Sequence, residues 1–487
     1  MTILYEPRAM IGGRWLDASD GRRFEVLNPS DGEKIDDVAD CGEVEADTAI
    51  AAASDALPAW RSRTAADRAS LLHRWNHLIL ENVDALAALI TSEMGKPLAE
   101  AAGEVRYGAS FVSWFAEEAR RAYGEVIPSP WPATRILTLR HPVGVVAAIT
   151  PWNFPVAMVT RKVAPALAAG CTLILKPAED TPLSALALAE LARQAGIPDG
   201  VFNVVPTARA ALVGDRLLDS PEVRKISFTG STETGRKLLA RAATTVKRVS
   251  MELGGNAPFI VFDDCDLDAA VAGAMSSKYR NAGQTCVCAN RFLVQSGIHD
   301  RFVERLIDRT RELRVGNGAN PETTVGPLIN LRAVEKVNKL IEASRKAGAS
   351  VVLGGRQHSL GQLFYQPTIV TRVTPAMPLW SEETFGPVAS ILRFDTEEEA
   401  IRLANGTPFG LAAYFYTANL ARSWRVGEAL EYGMVAINEG ILSTEVAPFG
   451  GVKQSGYGRE GSSHGLNEYL DIKYLLMGGL AANGEPV

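Results

Sequence analysis

From residue 143 to about Asn438 the chain alternates between short apolar runs and stretches of helical period, and this constrains its fold more than any other feature. "VGVVAAIT" reads as a buried strand and "PVAMVTRKVAPALAAG" as a helix. "CTLILKP" is a strand again. "TPLSALALAELARQAG" is a helix with Thr181 as N-cap, Pro182 in the first turn and Gly196 as its stop. "VFNVVP" and "VRKISFTG" are strands, and "STETGRKLLARAAT" is a helix. After "KRVSMELGGNAPFIVF" a second series opens with a helix over 267–281 and a strand over 287–295. Strands alternating with helices give an α/β fold with parallel sheets covered on both faces. Such sheets bind nucleotides beyond the carboxyl ends of their strands. At 487 residues the chain exceeds one ordinary core, so two or more domains are expected.

The first hundred residues read as short strands followed by alanine-rich helices, in "EADTAIAAASDALPAW" and "DRASLLHRWNHLILENVDALAALITSEMG". "GEVIPSPWPATRILTLRHPVG" is proline-rich and then alternating, which marks a hairpin arm. The alternating "LNEYLDIKYLLMGGL" near the C-terminus is a candidate partner for it. A formal charge of −6 and the lack of a basic block argue against nucleic acid. The N-terminus lacks the pattern of a signal peptide, and the richest apolar run, 143–149, is too short to span a bilayer. Five cysteines, sparse and odd in number, point to free thiols and a reducing compartment, most simply the cytoplasm.

Several loops at strand ends carry candidate chemistry. In "FTGSTETG", Gly230 turns the chain and Ser231 or Thr232 can cap the next helix, whose N-terminus suits a pyrophosphate. The run is neither a P-loop nor GxGxxG, and a strand–Gly–helix turn alone is commonly plain architecture. Lys176 and Glu179 in "KPAED" could hold ribose hydroxyls or form a solvated pair. Asn153 in "TPWNFP" lies between two prolines, and a rigid amide can serve a developing oxyanion or simply close a turn. Glu252 in "ELGG" is a general base if it faces a cleft and a surface carboxylate otherwise.

"RNAGQTCVCAN" holds Cys286 and Cys288. Zinc would need three or four ligands at workable spacing, and neither HExxH nor CxxC accompanies the C-x-C. His73 and His77 share a helical face without a third ligand, so no metal is expected. Read as part of a strand, Cys286 and Cys288 point to one face. A thiol at the helix–strand junction, near backbone N–H groups, could be a nucleophile of lowered pKa, whereas the ordinary role of a cysteine is inert packing. A rigid Asn, a Glu before two glycines and a nucleotide-type sheet favour the nucleophile.

"TPWNFP", "KPAE", "FTGSTETG", "ELGG", "GQTC", "EETFGPV" and "PFGGVKQSGYGRE" occur in this order across the whole chain. Together they resemble the NAD(P)-dependent aldehyde dehydrogenase superfamily. "TRKVAPALAAGC", "YRNAGQTCVCANRF", "INEGILSTEVAPFGG" and "EYLDIKY" are similar to its succinate-semialdehyde dehydrogenases. The resemblance implies a Rossmann-type cofactor domain (1–123 and 143–253), an α/β catalytic domain (254–464) and a β oligomerisation arm (124–142 and 465–487). It implies Cys286 as nucleophile, Asn153 and the Cys286 N–H as oxyanion hole, Glu252 as the base for the deacylating water, and Lys162 as an aid to proton transfer. Lys176 and Glu179 would hold the adenosine ribose, Ser231 the pyrophosphate and Glu383 the nicotinamide ribose, with Phe385 nearby. Thr150, Pro151, Trp152, Gly230 and Leu253 would complete the cofactor site.

Arg161, Arg280 and Ser443 match a clamp for the carboxylate of a semialdehyde, and guanidinium groups suit that role. The implied substrate is a short anionic aldehyde, succinate semialdehyde first, with glutarate semialdehyde or a sulfonated aldehyde as alternatives. Glu179 would repel a 2′-phosphate, so NAD is expected over NADP, which Lys176 still allows. Cys288 is implied in a reversible redox pair with Cys286. A homodimer or homotetramer is implied. A CoA-acylating enzyme would need no Glu252, and a cofactor-independent thiol hydrolase would want a histidine partner that no motif supplies.

Overall fold

The computed structural model describes residues 5–480. An eight-stranded sheet is built around five parallel strands, in the order Arg248–Glu252, Val223–Thr229, Val145–Ile149, Thr172–Lys176 and Phe202–Val204. Antiparallel strands close both edges: Gly456–Tyr457 on one side, and Ala9–Ile11 with Arg14–Leu16 on the other. The run of buried residues in Val145–Ile149 and Thr172–Lys176 follows from helices covering both faces. The chain enters at Val145–Ile149, winds outward through Thr172–Lys176 and Phe202–Val204, and returns to the other side at Val223–Thr229. That reversal leaves a crevice at the carboxyl ends of Ile149 and Thr229, where a doubly wound sheet receives its ligand. The loops "TPWNFP" and "GSTETG" lie there.

Five residues after Glu252, at Ala257, the chain enters a second sheet of seven strands. Its order is Ser350–Leu353, Thr368–Thr371, Val388–Phe394, Ala289–Gln295, Ala257–Val261, Ala412–Tyr416 and Met434–Ile437, parallel except for the first pair. A third sheet pairs Arg135–Pro142 with Leu470–Met477 in register from Leu470↔Pro142 to Met477↔Arg135, and adds Val126–Ile127. This joins the proline-rich excursion to the C-terminal strand, as the sequence suggested. Residues 481–487 of the expected arm and 1–4 of the expected cofactor domain lie outside the described residues. Among the described residues no helix is long and apolar enough to cross a membrane.

Four local readings are corrected. The long helical pattern before Gly95 is two helices, Ala65–Glu81 and Val83–Met94, broken at Asn82. Thr181 precedes Pro182–Gln194 but caps nothing. Glu93 of the neighbouring helix takes its place and accepts from Leu183 N (2.9 Å) and Ser184 N (3.0 Å). The helix Leu267–Tyr279 ends earlier than expected, because Asn281 and Ala282 adopt left-handed conformations in a tight turn. The following strand starts only at Ala289, so Cys286 and Cys288 do not share a strand face. They occupy a turn closed by Cys288 N donating to Thr285 O at 3.0 Å.

Candidate active site

The carboxyl ends of the first sheet face the amino ends of the second, and Cys286 stands on the wall of two cavities at that junction. One, about 320 Å³, is lined by Pro151, Trp152, Asn153, Thr229, Gly230, Ser231, Leu253, Gly254, Glu383 and Phe385. The other, about 270 Å³, is lined by Tyr107, Phe154, Met158, Arg161, Arg280, Thr285, Ser443 and Phe449, among others. A thiol between them can meet one molecule from each side.

The first cavity has the features of a dinucleotide site. Ser231 caps the helix Thr232–Ala242 by accepting from Thr234 N, and leaves the first N–H groups of that helix at the mouth. Leu253 packs so tightly on Gly235 that a Cβ there would lie 2.4 Å from it. Glu383 is held by Gly255 N at 2.9 Å, and burial raises its pKa. Trp152 and Phe385 meet edge to face at 5.6 Å. Lys176 Nζ and Glu179 form a pair at 3.1 Å, but Glu179 lines a neighbouring 770 Å³ cleft rather than this cavity. Arg332, which lines both, was not found from sequence, and neither was Lys336. Thr150 is buried behind the cavity, with its N–H on the Lys176 carbonyl. Donors, a helix N-terminus and a carboxylate for a ribose are thus all present for NAD(P).

Around Cys286 the polar groups are sparsely paired. Asn153 Nδ2 spends one N–H on Gln284 O at 3.1 Å and keeps the other. The Cys286 amide makes no hydrogen bond among the described residues. Glu252 is 3% exposed, and neither of its carboxylate oxygens has a partner. Burial, and then the nearby Glu460 charge, push its pKa well above the usual carboxylate range. The lowered thiol pKa expected from sequence is corrected. Burial pushes Cys286 up to about 12; Arg161 opposes this, while Glu383, Glu252 and Glu460 add to it. Cys288 is buried, donates from Sγ to Lys278 O at 3.3 Å, and lines neither cavity.

Sequence reasoning missed the partner that organises the two basic residues. Glu460, from the quoted "GYGRE", pairs with Lys162 at 2.5 Å and with Arg161 at 2.6 Å. Burial would raise the Glu460 pKa, but the two cations hold it below the ordinary value. The Arg161 contact is close but not aligned as a hydrogen bond, so its Nε and Nη2 lack a hydrogen-bond partner although the residue is 2% exposed. Its guanidinium lies 3.9 Å from the Phe449 ring centroid. Arg280 lies over Phe154 at 5.6 Å on the same cavity. Among the described residues no cluster of three metal-ligating side chains occurs.

A doubly wound sheet with a dinucleotide cleft, opening onto a thiol flanked by an amide and a buried carboxylate, defines a cofactor-dependent oxidoreductase. The chain belongs to the aldehyde dehydrogenase family, whose model matches residues 15–475. It is 57% identical to the mitochondrial succinate-semialdehyde dehydrogenase of Arabidopsis thaliana, over 98% of this chain and 90% of that one. It is 56% identical to the NADP-dependent succinate-semialdehyde dehydrogenase GabD of Escherichia coli, over 98% of each chain. It is 57% identical to a glutarate-semialdehyde dehydrogenase of Pseudomonas aeruginosa, over 98% of this chain and 99% of that one. Its fold superposes on the crystal structure of succinate-semialdehyde dehydrogenase from Burkholderia pseudomallei with a TM-score of 0.97, at 54% identity, covering 98% and 99% of the two chains.

Proposed function

We propose that the enzyme oxidises a short aldehyde with an anionic far end, succinate semialdehyde first, to the carboxylate. One observation carries this reading: Arg161, ion-paired through Nη2 with Glu460 and with its Nε left without a partner, shares a 270 Å³ cavity with Arg280, Ser443 and Cys286. Two arginines around so small a space favour a carboxylate over an apolar tail. A relative named for glutarate semialdehyde, at 57% identity, supports a one-carbon longer substrate as the second candidate.

The Cys286 thiolate, formed as the thiol proton leaves to solvent through the cavity, adds to the aldehyde carbon, and the new oxyanion is taken by Asn153 Nδ2 and the Cys286 N–H. A nicotinamide held beside Glu383 would supply the hydride acceptor that lets the adduct on Cys286 collapse to a thioester. Glu252 then removes a proton from the attacking water, and its raised pKa makes it a stronger base than an ordinary carboxylate. Lys162, ion-paired with Glu460 behind the Arg161 wall, is the candidate aid to proton transfer. Lys176 and Glu179 would hold the adenosine ribose, Ser231 the pyrophosphate, and Glu383 the nicotinamide ribose. Thr150, Pro151, Trp152, Gly230, Leu253 and Phe385 shape the rest of the cofactor site. NAD is the preferred cofactor because Glu179 repels a 2′-phosphate, although a relative as similar as the Escherichia coli enzyme is named for NADP.

We assign 1–123 with 143–253 to cofactor binding, 254–464 to catalysis, and 124–142 with 465–487 to an arm that joins copies into a dimer or tetramer. Exposed Ile472, Tyr474, Leu476 and Met477 on that arm support the assignment. Five free thiols favour a reducing compartment, simplest the cytoplasm. Cys288 is a candidate redox partner of Cys286, provided the 285–288 turn opens. The direct test mixes succinate semialdehyde with NAD in the absence of CoA. Reduced nicotinamide should appear together with an acyl adduct on Cys286, and absence of both would reject the reading.

A further inference from the structure

The carbonyl of Asn153 is clamped from two sides by buried side chains. Lys96 Nζ donates to it at 2.8 Å and Asn281 Nδ2 at 3.0 Å. The Lys96 side chain is 1% exposed, and its ammonium also pairs with Glu104 Oε2 at 2.5 Å and lies 3.9 Å from the Phe154 ring centroid. The other oxygen of Glu104 accepts from Val156 N (2.9 Å) and Ala157 N (3.3 Å), where the helix carrying Arg161 begins. One ion pair therefore holds the "TPWNFP" turn at Asn153 and just beyond its C-terminal end. Asn281 adopts a left-handed φ of 53°, and its Nδ2 also reaches Gln284 O, the same carbonyl that Asn153 Nδ2 occupies. The clamp thus ties the amide to the turn that delivers Cys286.

Burying an ammonium and a carboxylate is costly, and apolar residues of similar size would hold two helices together at less expense. What they could not do is grip a backbone carbonyl next to the reacting amide. We propose that Lys96, paired with Glu104, is a positioning residue for the chemistry: it fixes the Asn153 backbone so that Nδ2 meets the oxyanion as it forms. This rests on the reading of Asn153 as oxyanion donor.

The test is a double-mutant cycle read in a single turnover. The burst rate constant for acylation and the dissociation constant for the cofactor are measured in wild type, Asn153→Ala, Lys96→Met and the double variant. Lys96→Met should slow acylation about 10- to 100-fold, the scale of a small misplacement at a reacting centre. Cofactor affinity should change less than about twofold, and Lys96→Met should add nothing further once Asn153 is alanine. If Lys96→Met does not fold, Asn281→Gly decides the matter. Glycine keeps the left-handed backbone and removes the second donor to the same carbonyl, together with its contact to Gln284 O, while leaving Lys96 in place, so it should show a smaller loss with the same non-additivity. Wild-type acylation in Asn153→Ala would remove the oxyanion reading, and this proposal with it. A slow Asn153→Ala on which the Lys96 loss multiplies in full, or a Lys96→Met variant as fast as wild type, would overturn the positioning role alone. Equal losses in cofactor affinity, acylation and deacylation would also overturn it, as a general structural defect.

Discussion

Cys286 is a half-buried thiol on the wall of two cavities; loss of water around it raises its pKa, Arg161 opposes this, and Glu383, Glu252 and Glu460 add to it. In the free enzyme it therefore stays protonated through neutral pH. Alkylation by iodoacetamide without cofactor should rise with pH and show no plateau below about pH 9, because only the thiolate reacts. A plateau by pH 8 would mean that the free site already lowers the thiol. Glu252 behaves in the opposite functional sense. Its neutral form is favoured, so the fraction able to accept a proton grows as pH passes the ordinary carboxylate range. Glu252→Gln should leave the first-turnover burst of reduced nicotinamide intact and slow the steady state about 100-fold or more. Its deacylation should also lose the pH dependence of the wild type; a steady state at the wild-type rate would free Glu252 of its role. Both residues stood out in the sequence through the type and order of their neighbours. Glu460 did not, because a carboxylate between two buried cations looks in one dimension like any surface glutamate. The raised thiol pKa was also out of reach, since it follows from burial by residues far apart in the chain.

At the scale of elements, periodicity identified the strands and most helices, since buried parallel strands read as continuous apolar runs. What it misjudged were the ends. Thr181 has the residue type and position of an N-cap, yet its hydroxyl is buried without a partner. The helix is instead capped by Glu93, which burial raises to a pKa of about 8. Removing Glu93 should orphan two buried N–H groups, so Glu93→Ala should cost about 1–3 kcal/mol in chemical denaturation. Thr181→Val should cost nothing measurable, because it deletes an unsatisfied hydroxyl at constant shape. The reverse order would restore the cap to Thr181. The cysteine turn was misread for a related reason. "TCVCANRF" has the composition of a strand, but the left-handed residues Asn281 and Ala282 redirect the chain and delay pairing until Ala289.

Over the whole molecule, two parallel-type sheets meet end to end, so the crevice of the first opens onto the cysteine turn of the second. That meeting was legible in the sequence only through the resemblance of seven ordered motifs to a family, because alternation alone cannot say how two sheets face each other. The pairing of residues 135–142 with the C-terminal strand was legible from the alternating pattern of the two segments, and it leaves Ile472, Tyr474, Leu476 and Met477 exposed. The central claim is that the far end of the aldehyde is read as a charge by arginines on the cavity wall. The most direct measurement compares kcat/KM for succinate semialdehyde and for butanal, its near-isostere without the charge, in wild type and in Arg280→Ala. Wild type should prefer the semialdehyde, and Arg280→Ala should lose about 30-fold to several thousand-fold on it, the equivalent of roughly 2–5 kcal/mol, with little change on butanal. Equal specificity constants for the two aldehydes in wild type would contradict the account.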